Sequence, residues 1–297
     1  MPRLVRFGDR GVLRISGTDG ADFLQGLTSN DVRRVGPDRA LFSALLTPQG
    51  KYLHDFCIVA LDDSLLLDCE GARRADLLRR LKVYRLRSKV ALDDVTDGTA
   101  VAAAIGDGAA AAFGLPAEPG AATAFGEGVA YVDPRRAALG VRLLLPRAAA
   151  DAALAGTGLT EADPAEYDRL RLSLGVPDGS RDLAVEKATL LESNYDALHA
   201  ISWDKGCYMG QELTARTKYR GLVKKRLVPV AVEGPLPAPG TPVLLDGREV
   251  GELRTGRDGL ALALLRLDAL ERSGEDGGFA AGEARVVPRD AAATAMP

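Results

Sequence analysis

The sequence predicts an α+β fold in which antiparallel sheets carry surface helices and a small separate β-barrel closes the carboxy terminus. Three observations predict it. At 297 residues the chain exceeds what one hydrophobic core usually organises, so two or three domains are expected. Its first ninety residues alternate strand-like and helical runs. After Gly221 the pattern changes to short strands punctuated by Pro235, Pro237, Pro239, Gly240 and Asp246-Gly247, as in a small barrel.

Residues 12–16 read as a strand and 18–27 as a helix, with Thr18 or Asp19 as its cap and Phe23, Leu24 and Leu27 as its apolar stripe. Asn30-Asp31 ends that helix. Residues 40–46, 52–60 and 64–68 form a meander, separated by Thr47-Pro48-Gln49-Gly50 and Asp62-Asp63. Within 71–86, Ala75, Leu77, Leu78, Leu81 and Tyr84 recur at helical spacing between arginines, which describes an amphipathic surface helix. Residues 97–128 are rich in alanine and glycine, with weak periodicity, and read as a variable segment. Strands at 129–132 and 141–145 follow, then helices near 147–155 and 164–174, where Pro164 suits a first turn. A long irregular connection, 175–206, leads to the barrel strands at 223–232, 243–245, 250–255 and 260–265. The expected domains are 1–220, subdivided near 95–130, and 221–297.

Net charge is −3 with 27% charged residues, which offers no global attraction to nucleic acid. No apolar run is long enough to span a bilayer, and the amino terminus breaks at once into charged residues and glycine, so a cytoplasmic protein is expected. Three cysteines, Cys57, Cys69 and Cys207, are an odd number without the spacing of a zinc site or a disulfide framework, which fits a reducing compartment.

Chemistry concentrates in Lys205-Gly206-Cys207-Tyr208-Met209-Gly210-Gln211-Glu212. Glycines near Cys207 let the backbone approach a ligand. A helix expected over 211–219, together with Lys205, would favour the thiolate, the form that ligates iron or attacks an electrophile. One thiolate does not hold an iron–sulfur cluster, so any cluster here is transient and shared with a partner. Whether Cys207 acts as ligand, redox thiol or nucleophile stays open. Cys57 and Cys69 lie in apolar runs and read as core. Six basic residues, Arg216, Lys218, Arg220, Lys224, Lys225 and Arg226, suit a polyanionic tail or an acidic partner. Asp55 and Glu192 are the carboxylates suited to an aminopyrimidine ring.

These residues carry a resemblance. Arg169-Leu170-Arg171-Leu172-Ser173-Leu174-Gly175-Val176-Pro177, Gly179-Ser180-Arg181-Asp182-Leu183, Leu191-Glu192-Ser193-Asn194 and the run from Lys205 through Arg216 resemble the YgfZ-type folate-binding proteins, closest to their mitochondrial iron–sulfur maturation subgroup. Residues 23–31 and 46–51 match as well, in a pattern shared with the glycine-cleavage aminomethyltransferases. The resemblance implies an aminomethyltransferase-like module that binds tetrahydrofolate. It implies assembly or repair of four-iron clusters in client enzymes, with iron–sulfur carrier proteins as partners. It places Cys207 and Lys205 at the reactive position. Asp55, Glu192, Asn194, Gln211, Glu212 and Arg216 are assigned to cofactor binding. Two alternatives stand beside it: a folate-dependent one-carbon transferase with Asp55 as acid–base group, and a scaffold that binds partners through the basic stretch. The sequence leaves open whether the protein is an enzyme.

Overall fold

The computed structural model describes residues 1–273 and 278–289. They fall into two compact units. The first takes Met1–Leu46, Leu53–Tyr167 and Leu198–Met209, and the second takes Thr47–Tyr52, Asp168–Ala197 and the chain from Gly210.

In chain order the elements that build the first unit are β1 (Arg3–Phe7), β2 (Arg10–Ser16), α1 (Gly20–Gln25), β3 (Leu41–Leu46), β4 (Tyr52–Leu61), β5 (Ser64–Glu70), α2 (Arg74–Tyr84) and β6 (Ala91–Asp94). They continue with β7 (Thr99–Ile105), α3 (Ala109–Ala112), β8 (Ala122–Phe125), β9 (Gly128–Val132), β10 (Val141–Pro146), α4 (Arg147–Ala155) and β11 (Thr160–Glu161). Strands β3-β4-β5-β2-β6 form one sheet, and β11-β1-β7-β10-β9-β8 form another.

All six residues of β3 and the first eight of β4 are buried, so these strands lack the alternation of a half-exposed sheet. Helix α2 buries Leu77 and Leu81, one turn apart. The cap expected at the start of α1 is not made. The Asp19 carboxylate instead accepts the Lys89 amide at 2.7 Å.

The alanine-rich stretch is the largest difference from expectation within this unit. Residues 99–105 form β7, an interior strand antiparallel to both β1 and β10, with Ala102, Ala103 and Ala104 buried. Alanine has little intrinsic strand preference, and burial on both faces removes the period of two, so no local signal marks the strand.

Helix α5 (Pro164–Ser173) leads from one unit to the other. The second unit then holds α6 (Gln211–Tyr219), β12 (Lys225–Glu233), β13 (Pro242–Leu245), β14 (Arg248–Arg257), β15 (Leu260–Arg266), α7 (Leu267–Ser273), β16 (Phe279–Ala281) and β17 (Ala284–Pro288). Its strands close into a barrel in the order β12-β15-β14-β13-β16-β17, which leaves no free edge. Val230, Val243, Leu253, Ala263, Leu265, Phe279 and Val286 fill it.

The second unit reaches back beyond residue 220 to include Asp168–Ala197. The reason is ionic. Arg171, at the end of α5, donates to Asp168 Oδ1, Asp182 Oδ2 and Thr255 Oγ1, each at 2.7 Å, and is 2% exposed. Asp182 accepts in turn from the amide and hydroxyl of Thr255 on β14, at 3.0 and 2.6 Å. Arg257 completes the group with a 2.9 Å bond to Asp168 Oδ2. The Arg-Leu-Ser-Leu-Gly-Val-Pro-Asp-Gly-Ser-Arg-Asp run is thereby fastened to the barrel through buried, charge-assisted bonds.

Candidate functional site

Helix α1 ends at Gln25, and its closing turn is tight: the Leu27 and Thr28 amides both donate to Leu24 O at 3.0 Å. A helix end leaves carbonyls without partners. Here Lys205 supplies the missing donors. Its ammonium reaches Gln25 O at 2.8 Å, Thr28 O at 2.7 Å and Asn30 O at 2.7 Å, which uses all three of its protons. Burial lowers its pKa to about 8, with Asp31 opposing the shift and Arg33 adding to it.

The same turn holds the rest of the cysteine segment. Ser29 Oγ donates to Ala200 O at 2.7 Å and accepts the Ala44 amide at 2.9 Å. The Asn30 amide group donates to Phe42 O at 2.8 Å and His199 O at 2.7 Å. The Ser202 amide donates to Ser29 O, and the Met209 amide to Gly26 O, both at 3.1 Å. Residues 199–209 are thus stitched down at five places. Between the last two, Lys205 and Met209, Gly206 and Cys207 stand exposed.

Cys57 and Cys69 differ from Cys207 in accessibility. Both are buried, and burial pushes each thiol up to about 12. Cys207 is therefore the accessible thiol of the described residues.

The geometry adds a structural part to the role expected of Lys205. A lysine committed to three carbonyls is a latch for the loop. Tyr208 covers that ammonium, with the ring centroid 5.1 Å from Nζ.

The other expected site residues are distributed between the units. Asp55 lies buried on β4 in the first unit, beside His54, whose Nε2 meets Asp76 Oδ2 at 2.9 Å. In the second unit, Glu192 is half-buried and accepts the Thr189 hydroxyl at 2.9 Å. Asn194 donates to Leu227 O at 2.5 Å and adopts a left-handed backbone with φ 63°, so its amide serves β12. Gln211 opens α6, whereas Glu212 and Arg216 lie exposed on that helix with 4.0 Å between their charged atoms. Gly50, at φ 82°, seats the Thr47-Pro48-Gln49-Gly50 turn on α6, where a Cβ would come within 2.6 Å of Leu213 Cβ and 2.7 Å of Gly210 O. Of the six basic residues between Arg216 and Arg226, Arg226 turns inward and grips Asp196 with two bonds at 2.8 and 3.1 Å, while the other five stay exposed.

One buried group went unforeseen. Asp68 on β5 binds Arg10 Nε at 2.7 Å, Arg142 Nε at 2.9 Å and the Tyr131 hydroxyl at 3.1 Å, joining the two sheets of the first unit. Burial pushes its carboxyl up, but Arg10 and Arg142 outweigh that and hold it at about 2. Beside it Arg135 forks onto Asp133 at 2.9 and 2.7 Å, and the Tyr167 hydroxyl accepts from both Arg135 and Arg142. Isolated charges inside apolar strand runs, such as Asp68 after Leu65-Leu66-Leu67 and Arg142 before Leu143-Leu144-Leu145, were the available signal.

Comparison with known proteins follows the same lines. The family model of the CAF17 carboxy-terminal β-barrel domain matches residues 224–294. The mitochondrial iron–sulfur cluster assembly factor IBA57 of Mus musculus is 33% identical over 293 residues, covering 90% of this chain and 78% of its own. Its Homo sapiens counterpart is 36% identical over 279 residues, covering 88% and 76%. The homologue from Mycosarcoma maydis is 33% identical over 242 residues, covering 77% of this chain and 57% of its own. Among solved structures, the glycine cleavage system aminomethyltransferase T from Bartonella henselae superposes with a TM-score of 0.74 over 97% of this chain and 84% of that one. At 15% identity that likeness establishes an aminomethyltransferase-like fold. The cytoplasmic placement expected from the amino-terminal residues is corrected by these relatives, since the mouse, human and fungal proteins are all named mitochondrial. By its identity to these proteins over most of their length, the chain belongs to the IBA57 family of iron–sulfur cluster assembly factors.

Proposed function

We propose that this protein is an iron–sulfur cluster assembly factor in which Cys207 meets a cluster carried by a partner protein. One observation carries the reading: an exposed thiol held on a latched loop, in a chain whose other two cysteines are buried and protonated. The cluster is cargo. Among the described residues no group of three or more histidines, cysteines or carboxylates stands together to hold a metal. In the exchange, a thiolate of the partner leaves an iron atom as Cys207 sulfur bonds to it. The Cys207 proton passes to water, which the exposed loop permits, and the departing thiolate takes one up.

The latch supports this chemistry by fixing the thiol without occupying it. A loop free to fold over would bury the sulfur and close it to a partner, as the sheet does at Cys57 and Cys69. The partners this implies are iron–sulfur carrier proteins on one side and four-iron client enzymes on the other.

Tetrahydrofolate is proposed as the small-molecule ligand on narrower support. Asp55 is a buried carboxylate on β4 of the first unit, of the kind an aminopyrimidine ring pairs with, and Glu192 is a half-buried one in the second. Asn194, in the second unit, gives one of its two amide protons to Leu227 O. Titration of tetrahydrofolate against Asp55→Asn protein is expected to show at least tenfold weaker binding than wild type. Equal affinity removes Asp55 from the ligand set.

Complementation tests the main reading. In a strain lacking this gene, Cys207→Ala is expected to leave four-iron enzyme activities near the level of the deletion. Full restoration by Cys207→Ala would set the thiol mechanism aside.

A further inference from the structure

Helix α2 ends in a feature that neither the cluster site nor the core uses. Residues 82–87, Lys-Val-Tyr-Arg-Leu-Arg, are exposed without interruption. Leu86 is 87% exposed and Val83 63%. Leu86 also adopts φ 40°, a left-handed backbone that costs a branched side chain energy and that glycine would adopt freely.

That strained turn is held in place. The Arg85 amide donates to Lys82 O at 3.3 Å, the Ser88 amide to Arg85 O at 2.8 Å, and the Lys89 amide to the Asp19 carboxylate at 2.7 Å. The leucine is therefore presented outward on a fixed support, against both its own hydrophobicity and its backbone preference.

Charge completes the pattern. Among the described residues Lys82, Arg85 and Arg87 take part in no ion pair, although the chain as a whole carries −3. Arg79 and Arg80, one turn earlier, are held by Asp76. Two depressions flank the tip. One, of about 490 Å³, runs along α2 between Leu78, Val83 and Lys82, and the other, of about 740 Å³, lies beside Leu86 and Arg87. Among the described residues the carboxylates lining them are Asp94, bound to Arg74, and Asp19, bound to the Lys89 amide.

We propose that the α2 tip is a docking surface for an acidic segment of a partner protein, with Leu86 and Val83 as apolar anchors and Lys82, Arg85 and Arg87 as the charged rim. An apolar centre ringed by charged side chains matches the core-and-rim arrangement of a protein interface. The depressions favour a protein over a bilayer, because side chains of a partner enter concave surface and a lipid surface has none to offer. The proposal is independent of the cluster chemistry at Cys207.

A photo-crosslinking residue placed at position 83 of the full chain, in its native host, tests it. Irradiation is expected to yield adducts whose peptides carry more Asp and Glu than Lys and Arg. The triple variant Lys82→Glu/Arg85→Glu/Arg87→Glu is expected to lower adduct yield at least tenfold at an unchanged melting temperature. Leu86→Gly relieves the backbone and is expected to keep or raise the melting temperature while cutting adduct yield severalfold, which a purely structural leucine would not do. Absence of adducts, adducts to a second copy of this chain or to peptides without acidic excess, or a yield indifferent to charge reversal would overturn the proposal. So would sedimentation of the wild-type chain with vesicles of 30% anionic lipid that the triple variant abolishes, since that assigns the tip to a membrane.

Discussion

Replacing Lys205 by methionine keeps most of the stem and removes three donors from the end of α1, whereas replacing Cys207 by serine changes one exposed atom. The two substitutions therefore separate support from chemistry. Lys205→Met is expected to cost roughly 1.5–3 kcal/mol in denaturant unfolding, the range for bonds to a charged donor, and to speed amide exchange at Met209. Cys207→Ser is expected to stay within about 0.5 kcal/mol of wild type, as exposed substitutions do. Unchanged protection at Met209 in Lys205→Met would remove the latch. A second residue, His54, gives a pH signature. Burial and Arg73 hold its pKa at about 4 against an ordinary 6.5, so the neutral ring donates to Asp76. Between those values the unfolded chain binds the proton and the folded one does not. Stability is thus fully present above pH 6.5 and is lost as pH falls toward 4, by on the order of 2 kcal/mol between pH 7 and 5. His54→Gln should flatten that part of the curve, measured by urea midpoints at the two pH values; an identical slope in the variant would exclude His54 as its source.

Among the elements, the segment from α5 to Asp182 is the one whose role changes most between sequence and structure. Arg171 reads as one residue of the helix near 164–174, and residues 175–206 as an irregular connection. In the structure they form a buried ionic joint with Thr255 and Arg257 of the barrel. No local periodicity reports a bond between positions 84 residues apart. Arg171→Leu leaves Asp168 and Asp182 buried with fewer cations and is expected to cost about 3–5 kcal/mol, whereas Arg171→Lys, which keeps the charge and loses the fork, should recover part of it. A loss below about 1 kcal/mol for the leucine variant would mean that the joint contributes little. Elements with strong local signals were legible: the meander of β3 to β5, helix α2 with Leu77 and Leu81, and the barrel strands β12 to β15. Strand β7 was not, because buried alanines carry no period. β16 and β17 were not either.

At the scale of the whole molecule, the site was legible in its residue types and opaque in its wiring. Cys207 stands out in the sequence through its glycines and its neighbours. Asn30-Asp31 reads there as a helix stop, and residues 23–31 as a pattern shared with the aminomethyltransferases, with no link to Cys207. The structure joins the two, because Lys205, Ser29 and Asn30 bond across some 170 residues. Compartment was not legible at all. Surface charge and reduced thiols report the solvent a protein meets, and a cytosol and an organelle matrix impose the same chemistry. The α2 tip extends the same lesson, since a lone exposed leucine is ordinary in a sequence and conspicuous only when its backbone is seen to be strained.

The decisive measurement mixes the full chain with an iron–sulfur carrier protein loaded with cluster and follows visible absorption and circular dichroism. Wild-type protein is expected to perturb the carrier's cluster spectrum and to retain part of the signal after the two proteins are separated. Cys207→Ser protein, equally folded, is expected to do neither. Equal perturbation and retention by Cys207→Ser would contradict the assignment of Cys207 as the point where the cluster is met.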